Sequence, residues 1–364
     1  MVIEEDFVQL VRLTIDGRES DSKALMRRML YSIIRNCPEL NAQARSVLAS
    51  LKTVNVTRGI TASPIPVDSD SRLELVRREN IHELPIEPVW VPQIRGELQS
   101  VVKERIHQSE LEAGGVKPTK SLLFVGPPGV GKTLAAHWIA REIQLPLLTL
   151  DLAAVMSSFL GRTGNNIRTV IDYAQKYPSV LLLDEFDAIA KRRDDIAEIG
   201  ELKRLVTVLL QSIDEWPSEG LLIAASNHPD LLDPAVWRRF DRVIQFPLPV
   251  KSEIVETIKR IIGKNSDVKD SLIVALSVLY DGESFAEVQR QINQLRKSSI
   301  LNKTPLEFDI IQLLVSSAKN IEIKNKAMIA SALIKSGLSQ RDVSRVIGIS
   351  RDTIRKYHTE IDNK

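Results

Sequence analysis

Cysteine, long apolar runs and charge imbalance are all scarce in this sequence. Its one cysteine, Cys37, excludes an intrachain disulfide and a metal cluster held by cysteines. No apolar run approaches the roughly 20 residues that span a bilayer, and residues 1–6 lack the basic-then-apolar start of a signal peptide. A net charge of +2 over 364 residues gives no overall attraction to nucleic acid or to a membrane. These absences predict a cytoplasmic protein without membrane contacts.

The rest of the composition is typical of a globular protein, with 43% apolar and 26% charged residues. At 364 residues the chain is too long for one compact core, so we expect two or three domains. The sequence has no internal repeat and no low-complexity segment, and its function therefore has to be inferred from local motifs.

The segment GPPGVGKT at 126–133 is the most informative motif, because it fits the phosphate-binding pattern G-x-x-x-x-G-K-[ST]. Apolar residues 121–125 before it predict a buried strand, and residues 134–140 after it predict a helix. A glycine-rich turn between a strand and a helix directs backbone N–H groups and a helix N-terminus at a phosphate. The predicted nucleotide contacts are Gly126, Pro127, Pro128, Gly129, Val130, Gly131, Lys132, Thr133, Leu134 and, from the next motif, Asp184.

Four side chains of these two motifs have specific predicted roles. Lys132 is expected to reach the β- and γ-phosphates, and Thr133 to place its hydroxyl on Mg²⁺. Apolar residues 180–183 predict a second buried strand, which ends in Asp184 and Glu185. We expect Asp184 to hold the metal through its hydration shell and Glu185 to polarise the attacking water. The pattern predicts ATP and Mg²⁺ as cofactors.

Two further motifs follow. Residues 221–225 predict another buried strand, and Asn227 just after it is placed to orient water against the γ-phosphate. Arg238 and Arg239 precede Phe240. They form either an ordinary basic patch or a pair that completes a phosphate site.

The four motifs, in this order, resemble those of the AAA branch of the AAA+ ATPases, over about residues 85–320. The separations suit that family: Lys132 to Asp184 is 52 residues, Asp184 to Asn227 is 43, and Asn227 to Arg239 is 12. The arginine motif without an intervening Pro-Gly is similar to that of katanin and spastin and of single-module bacterial relatives. The resemblance implies an α/β fold, with a P-loop AAA+ parallel sheet and a helical lid, in a homo-oligomeric ring of six subunits. It also implies that the two arginines act as fingers on the nucleotide of a neighbouring subunit.

The resemblance further implies a loop that lines the central channel of the ring. Phe159, Leu160 and Gly161 are similar to the aromatic–hydrophobic–glycine triplet of the family's polypeptide-threading members, in which the aromatic grips a chain by apolar contact. Arg162 departs from the acidic residue that usually follows, and a cationic rim favours acidic segments or nucleic acid. The alternative is that Phe159 packs against its own domain.

Changes in composition along the chain predict five segments. Amphipathic spacing predicts a small helical domain at 1–51, which either recruits a target or stabilises the ring, and residues 52–84 predict an extended linker. The resemblance assigns residues 85–248 to the large α/β nucleotide-binding domain and residues 249–320 to the helical lid. Residues 321–364 do not belong to the standard module.

This last segment resembles a helix-turn-helix of the bacterial regulator type. A capping box at 339–342 opens one helix, Gly348 turns the chain, and Ser350 caps the next helix. The residues expected to lie inward on the first of these helices are Val343, Val346 and Ile347.

The helix after Ser350 is expected to enter the major groove of duplex DNA. Arg351 is placed to contact guanine, and Arg355 and Lys356 are placed to neutralise phosphates. With Thr353 on the same helix, these residues are the predicted DNA contacts. The alternative is a helical hairpin that contacts another subunit or a partner.

Three functions of different classes agree with these features. The Phe-Leu-Gly triplet favours a ring-forming ATPase that remodels or threads a protein partner and is targeted, through its helical ends, to DNA or another site. The tail favours the other two functions, a DNA-dependent ATPase and a DNA-binding regulator switched by ATP. Single-module bacterial relatives are in some cases paired with a separately encoded protease, so the resemblance adds a protease as a candidate partner.

Overall fold

The structure is a computed structural model that describes residues 75–79, 87–158, 163–188, 199–263, 267–318 and 321–354, with Met29, Pro66 and Lys356. By internal packing the chain divides into Met1–Pro64 and Ile65–Lys364, and the strands and helices given below belong to the second unit. Apart from Met29, the helical domain predicted at 1–51 lies outside the described residues. Among the described helices, none has the length and apolar character needed to cross a membrane.

A six-stranded sheet forms the centre of this unit, in the order β1–β3–β4–β5–β2–β6. Five neighbouring strands run parallel, and β1 pairs antiparallel with β3 at one edge. The apolar runs predicted to be strands at 121–125, 180–183 and 221–225 are confirmed as β2, β4 and β5. The strands are β1 (Arg77–Glu79), β2 (Ser121–Val125), β3 (Leu147–Asp151), β4 (Val180–Asp184), β5 (Leu221–Ser226) and β6 (Arg242–Gln245).

Helices cover both faces of the sheet. In β4, Leu181 and Leu183 join the apolar cluster on one face, whereas Val180 and Leu182 join the cluster on the other. The helices of this part are α1 (Pro92–Ile106), α2 (Gln108–Ala113), α3 (Lys132–Glu142), α4 (Leu152–Ser158), α5 (Thr163–Lys176), α6 (Ile199–Asp214) and α7 (Pro234–Trp237). Side chains of α5 and α6 complete the first cluster, and side chains of α1 and α3 complete the second. Burial on both faces explains why the central strands are apolar throughout, and the layers confirm the predicted α/β fold.

At Arg77–Glu79 the edge strand departs from the extended linker predicted over 52–84. In β1, Arg78 lies opposite Leu148 of β3. Leu75 and Val76, just before the strand, are 7% and 1% exposed and belong to the core. The sequence gives little sign of this strand because its own residues are Arg-Arg-Glu, and charged side chains are tolerated on a short edge strand.

Within the described residues, six helices from Lys251 to Ile347 follow the sheet. They are α8 (Lys251–Ile262), α9 (Asp270–Leu279), α10 (Phe285–Asn302), α11 (Leu306–Ser317), α12 (Ile323–Lys335) and α13 (Gln340–Ile347). The first four occupy the segment expected to form the lid, and the last two lie in the tail. A further helical segment starts at Arg351.

The tail is packed into the lid. Leu333 of α12 is fully buried in the same apolar cluster as Leu276 of α9, and Ile354, beyond α13, also belongs to this cluster. Lys269, which caps α9, donates from Nζ to the backbone oxygen of Ser336 at 2.6 Å. The lid and the tail therefore share one core.

The local signals of the tail are found where they were predicted, with one exception. The Ser339 side chain accepts from the backbone N–H of Asp342 at 3.1 Å, and Gly348 has the left-handed φ of 74° that ends α13. Val343 and Ile347 are buried, but Val346, expected to lie inward, is 41% exposed. Only the i, i+4 pair faces the lid core, and Val346 lies at the margin of that face.

Leu182→Ala is expected to lower the free energy of unfolding by about 2–5 kcal/mol, because a fully buried side chain in a central strand would leave a cavity. The shift of the urea midpoint, followed by circular dichroism, measures this change. Leu301→Ala is the matched control, since it removes the same atoms from a side chain that is 81% exposed. Equal shifts in the two variants would contradict the burial of β4.

Candidate functional site

The strands β2, β5 and β4 are neighbours in the sheet, and their carboxyl ends lie side by side. β5 lies between the other two strands, with Val125 of β2 opposite Ser226 of β5. Gly126, the first residue of the phosphate motif, donates its N–H to the Ser226 oxygen at 3.3 Å. Parallel pairing thus places the loop at 126–133, the acids after β4 and Asn227 side by side.

The phosphate motif forms a tight loop between β2 and α3, and two of its glycines are required by close contacts. Gly126 has a φ of 149°, and a Cβ there would lie 2.1 Å from the backbone oxygen of Phe246. At Gly129, with a φ of 78°, a Cβ would lie 2.6 Å from the Ser284 hydroxyl of the lid. Ala286 of the lid also donates its N–H to the Gly129 oxygen at 3.1 Å. The lid therefore touches the phosphate loop directly.

The remaining predicted contacts take distinct places in the loop. Val130 is buried and belongs to the core cluster, whereas Pro128 is exposed. Leu134, at 37% exposure, lies in the first turn of α3, which starts just after the left-handed residue Gly131. Pro127 presents its backbone oxygen to Lys132.

Lys132 is buried within this loop. Its Nζ donates to the backbone oxygens of Gly126 and Pro127, at 2.7 and 2.9 Å, and to Oδ1 of Asn227 at 2.7 Å. Burial lowers the pKa of this ammonium from its usual value, and the negative charges of the carboxylates within 184–187 oppose that shift. A cation held among oxygens in this way is well placed to contact a phosphate.

Thr133 and Asp184 come together beside the lysine. The Thr133 hydroxyl donates to Oδ2 of Asp184 at 3.1 Å, and Oδ1 of Asp184 accepts from the backbone N–H of Glu185 at 2.9 Å. A hydroxyl and a carboxylate are the hard oxygen donors that suit Mg²⁺. The donor set thus fits the predicted metal.

Asn227 lies between the lysine and the predicted catalytic acid. Its Nδ2 donates to Oε1 of Glu185 at 3.1 Å, while its Oδ1 accepts from Lys132. Glu185 has a left-handed φ of 54°, a conformation that costs a non-glycine residue of the order of 1–3 kcal/mol. The hydrogen bond from Phe186 N to the Ala225 oxygen, at 2.8 Å, holds this turn against β5. The site thus holds its carboxylate in a strained but supported position.

Asp187 is a residue of the site that the motif reasoning missed. It is fully buried, and its Oδ1 accepts from the Ser226 hydroxyl at 3.2 Å and from the backbone N–H of Asn227 at 3.1 Å. The turn after β4 is thereby tied to the end of β5. An available signal was the third acid of the run Asp-Glu-Phe-Asp at 184–187, since a buried run ending in an additional acid needs a partner for it.

Arg238 and Arg239 lie at the opposite end of the strands from the phosphate loop. They precede β6, which runs parallel to β2, so they lie at the amino ends of the strands. Arg239 forms an ion pair with Asp214 at the end of α6. Arg238 is exposed, and no ion pair or hydrogen bond of its side chain is found within the described part of the chain. The structure does not bring the two arginines to the nucleotide site of their own chain.

The other predicted contacts lie apart from this site or outside the described residues. Phe159, Leu160, Gly161 and Arg355 are outside them. Arg351 and Lys356 are exposed on the tail. Thr353 is partly buried, and its hydroxyl is 2.8 Å from that of Ser350, the capping residue.

Comparison with known proteins gives two kinds of match. Residues 122–248 match the family model described as ATPase family associated with various cellular activities (AAA). Over 302 residues the chain is 35% identical to a Sinorhizobium fredii protein called Uncharacterized AAA family ATPase y4kL. The matched region is 82% of this chain and 86% of that protein.

Two archaeal proteins called Proteasome-activating nucleotidase are also similar. The one from Methanocaldococcus jannaschii is 33% identical over 201 residues, 53% of this chain and 47% of its own length. The one from Methanopyrus kandleri is 33% identical over 235 residues, 62% of this chain and 54% of its own length. The chain thus spans about half the length of each nucleotidase.

Asp187→Ala is expected to lower kcat for ATP hydrolysis about 10- to 100-fold with little change in KM, because Asn227 would lose the anchor that positions it against Glu185. Steady-state kinetics with ATP measure both constants. Asp187→Asn keeps an acceptor oxygen at the same place and is expected to retain more of the activity. A rise in KM at unchanged kcat would contradict this positioning role.

Proposed function

This chain belongs to the AAA family of ATPases and hydrolyses ATP, and from that premise we propose that it forms a ring that remodels or threads a protein partner. The single observation that carries the proposal is the position of Arg238 and Arg239 at the sheet edge opposite their own nucleotide site. The ring has six subunits in this proposal, by resemblance to the family, and works in the cytoplasm.

The residues at the carboxyl edge divide the work of phosphoryl transfer. Lys132 and the N–H groups of the loop neutralise the β- and γ-phosphates. Thr133 and, through water, Asp184 would hold Mg²⁺, which would supply further charge neutralisation when bound. Glu185 polarises the attacking water, and Asn227 fixes the orientation of that carboxylate through its 3.1 Å hydrogen bond. Lys132 is the one cationic side chain among these residues, whereas the transition state spreads negative charge over all three γ-phosphoryl oxygens.

The two arginines are too far away to supply further positive charge within one chain. The five residues of β2 separate the carboxyl ends of the parallel strands from their amino ends by roughly 15 Å. Asp241, two residues after Arg239, is fixed beside the start of β2 because its Oδ2 accepts from the N–H groups of Lys120 and Ser121, at 2.8 and 3.0 Å. The arginines therefore act on an adjoining subunit, and such a head-to-tail contact generates a ring or a spiral.

Two features support a protein as the partner. Two similar proteins are called Proteasome-activating nucleotidase, a name that connects them with a proteolytic machine. In this chain, β3 leads through α4 to Phe159, Leu160 and Gly161, the triplet expected to grip a polypeptide. A separately encoded protease fits this proposal as a partner that receives the threaded chain.

Mixing two inactive variants is expected to restore ATP hydrolysis. A copy with Arg238→Ala and Arg239→Ala keeps its loop, and a copy with Lys132→Met keeps its arginines, so about a quarter of the interfaces in a random mixture are intact. The arginine variant alone is expected to lose about 10³–10⁵-fold in kcat, as the removal of an arginine finger does, and the Lys132 variant alone is expected to be inactive because it lacks the cation that contacts the phosphates. Steady-state ATPase rates of the separate and mixed variants test this, and the absence of any recovery would contradict shared sites.

Phe159→Ala is expected to keep ATP hydrolysis within about twofold and to abolish ATP-dependent unfolding of a tagged substrate protein. The reason is that the grip on the substrate depends on apolar contact by the phenyl group of Phe159. Loss of substrate fluorescence, together with phosphate release, measures the two activities. Leu301→Ala, an exposed lid change, serves as the control. Normal unfolding by the Phe159 variant would remove the threading function.

The tail favours a second candidate, in which the ATPase is directed to duplex DNA or depends on it. What supports it is that two capped helices flank the turn at Gly348, an arrangement that resembles a helix-turn-helix. Strong stimulation of the ATPase by duplex rather than by an unfolded polypeptide distinguishes a DNA-dependent ATPase from a protein remodeller. A regulator switched by ATP differs from both, because it needs ATP binding but not hydrolysis. Glu185→Gln, which binds ATP without hydrolysing it, is therefore expected to keep full regulatory function only if the chain is such a regulator.

A further inference from the structure

The tail carries exposed arginines on two consecutive helices, of which only the second was predicted to contact DNA. Arg341 and Arg345 lie one turn apart on α13, and Arg351 starts the next helical segment. All three are exposed, and among the residues that the structure describes, none of their side chains forms an ion pair or a hydrogen bond. We call these three residues the arginine face.

The α13 pair is directed away from the protein core. Val343 and Ile347, on the opposite side of this helix, are 1% and 2% exposed and belong to the lid core. A residue two positions from another on a helix is rotated by about 200° from it, so Arg341 and Arg345 lie opposite the buried pair. Their charges are therefore not needed for the packing of α13.

The angle between the two helices is fixed by specific contacts. Gly348 ends α13 in the left-handed conformation, and the Ser344 hydroxyl donates to the Ile349 oxygen at 2.7 Å across the turn. Ser350 then caps the next helix, and Ile354 is 1% exposed in the lid core. A surface held in this way loses little conformational freedom when it binds a ligand.

We propose that Arg341 and Arg345 bind the phosphate backbone of duplex DNA beside the groove that Arg351 enters. In a helix-turn-helix the first helix crosses the backbone and the second lies in the major groove, so exposed cations on the first helix are placed to contact phosphates. Guanidinium groups suit this task because they bind phosphate oxygens in a bidentate manner. The inference rests on the second candidate function, in which the tail directs the ATPase to duplex DNA.

Acidic side chains of the same helices do not cancel this charge. Asp342 is engaged at the start of α13, where its Oδ2 accepts from the Ser339 hydroxyl at 2.5 Å. Asp352 is exposed next to Arg351. From 321 to 364 the sequence holds nine Lys or Arg against five Asp or Glu, so the tail attracts polyanions although the whole chain is nearly neutral.

The test is fluorescence anisotropy of a labelled mixed-sequence duplex with the full chain, over about 50 to 200 mM salt. The double variant Arg341→Ala with Arg345→Ala is expected to weaken duplex binding at least about tenfold at the lower salt. The slope of log affinity against log salt is expected to fall by about one for each arginine removed. Arg351→Ala is expected to weaken binding as well, with a larger effect on some duplex sequences than on others.

The matched control is Arg95→Ala with Lys297→Ala, which removes the same charge from exposed positions on α1 and α10. It is expected to leave the affinity and the salt slope unchanged within about twofold. Thermal melting of each variant shows whether it is folded. A folded double variant with the affinity and slope of the original chain would overturn the inference. Preferential displacement of the duplex by an acidic polypeptide would overturn it too, and would assign the face to a protein partner.

Failure of the inference can be told apart from failure of the candidate function. If the original chain binds duplex and the double variant binds it equally well, the tail directs the ATPase to DNA through other residues. If the original chain ignores duplex in low salt, both the arginine face and the DNA-directed function are wrong. Protein unfolding by the ring is measured without DNA and is independent of either result.

Discussion

The parallel pairing of β5 with both β2 and β4 is the constraint on which the nucleotide site depends. It places three strand ends within two interstrand spacings, about 10 Å, and each end carries one part of the site. Lys132, Asn227 and Glu185 are then joined by hydrogen bonds of 2.7 and 3.1 Å, although they come from three distant segments of the sequence. Asp187 stabilises the same arrangement, because its hydrogen bonds join the turn after β4 to the end of β5.

The same sheet separates the two halves of the chemistry. Strands that run in one direction bring the phosphate loop to their carboxyl edge and the segment before β6 to their amino edge. Strand direction keeps Arg238 and Arg239 away from the phosphate loop of their own chain. In the proposed ring it therefore ties assembly to activity, and the ion pair of Arg239 with Asp214 holds one arginine near the surface from which it would act.

The sequence predicts the central strands well and brings the phosphate motif to a strand end, because both depend on local patterns. Buried parallel strands need apolar residues on both faces, and a phosphate loop needs glycine where Gly126 and Gly129 have no room for a Cβ. Two other features depend on distant contacts, and the motifs did not predict them. The Arg-Arg-Glu strand β1 exists because β3 offers it an edge, and Asp187 acquires its role from Ser226 and Asn227. The packing of the tail against the lid likewise cannot be inferred from the order of the segments along the chain.

That packing changes how the tail has to be understood. A separate module on a flexible connection would sample many orientations, whereas α12 and α13 share buried residues such as Leu333 and Val343 with the lid. The lid in turn touches the phosphate loop at Gly129, through the Ser284 side chain and the Ala286 N–H. Polar contacts join the lid to the α/β part, at Gly129 and through Arg260, whose Nη1 donates to the backbone oxygens of Glu87 and Pro88 at 2.6 and 3.2 Å, whereas the contact between lid and tail is apolar and continuous. A rotation of the lid would therefore carry the tail with it as one body, since the shared apolar core is much costlier to open than a few hydrogen bonds.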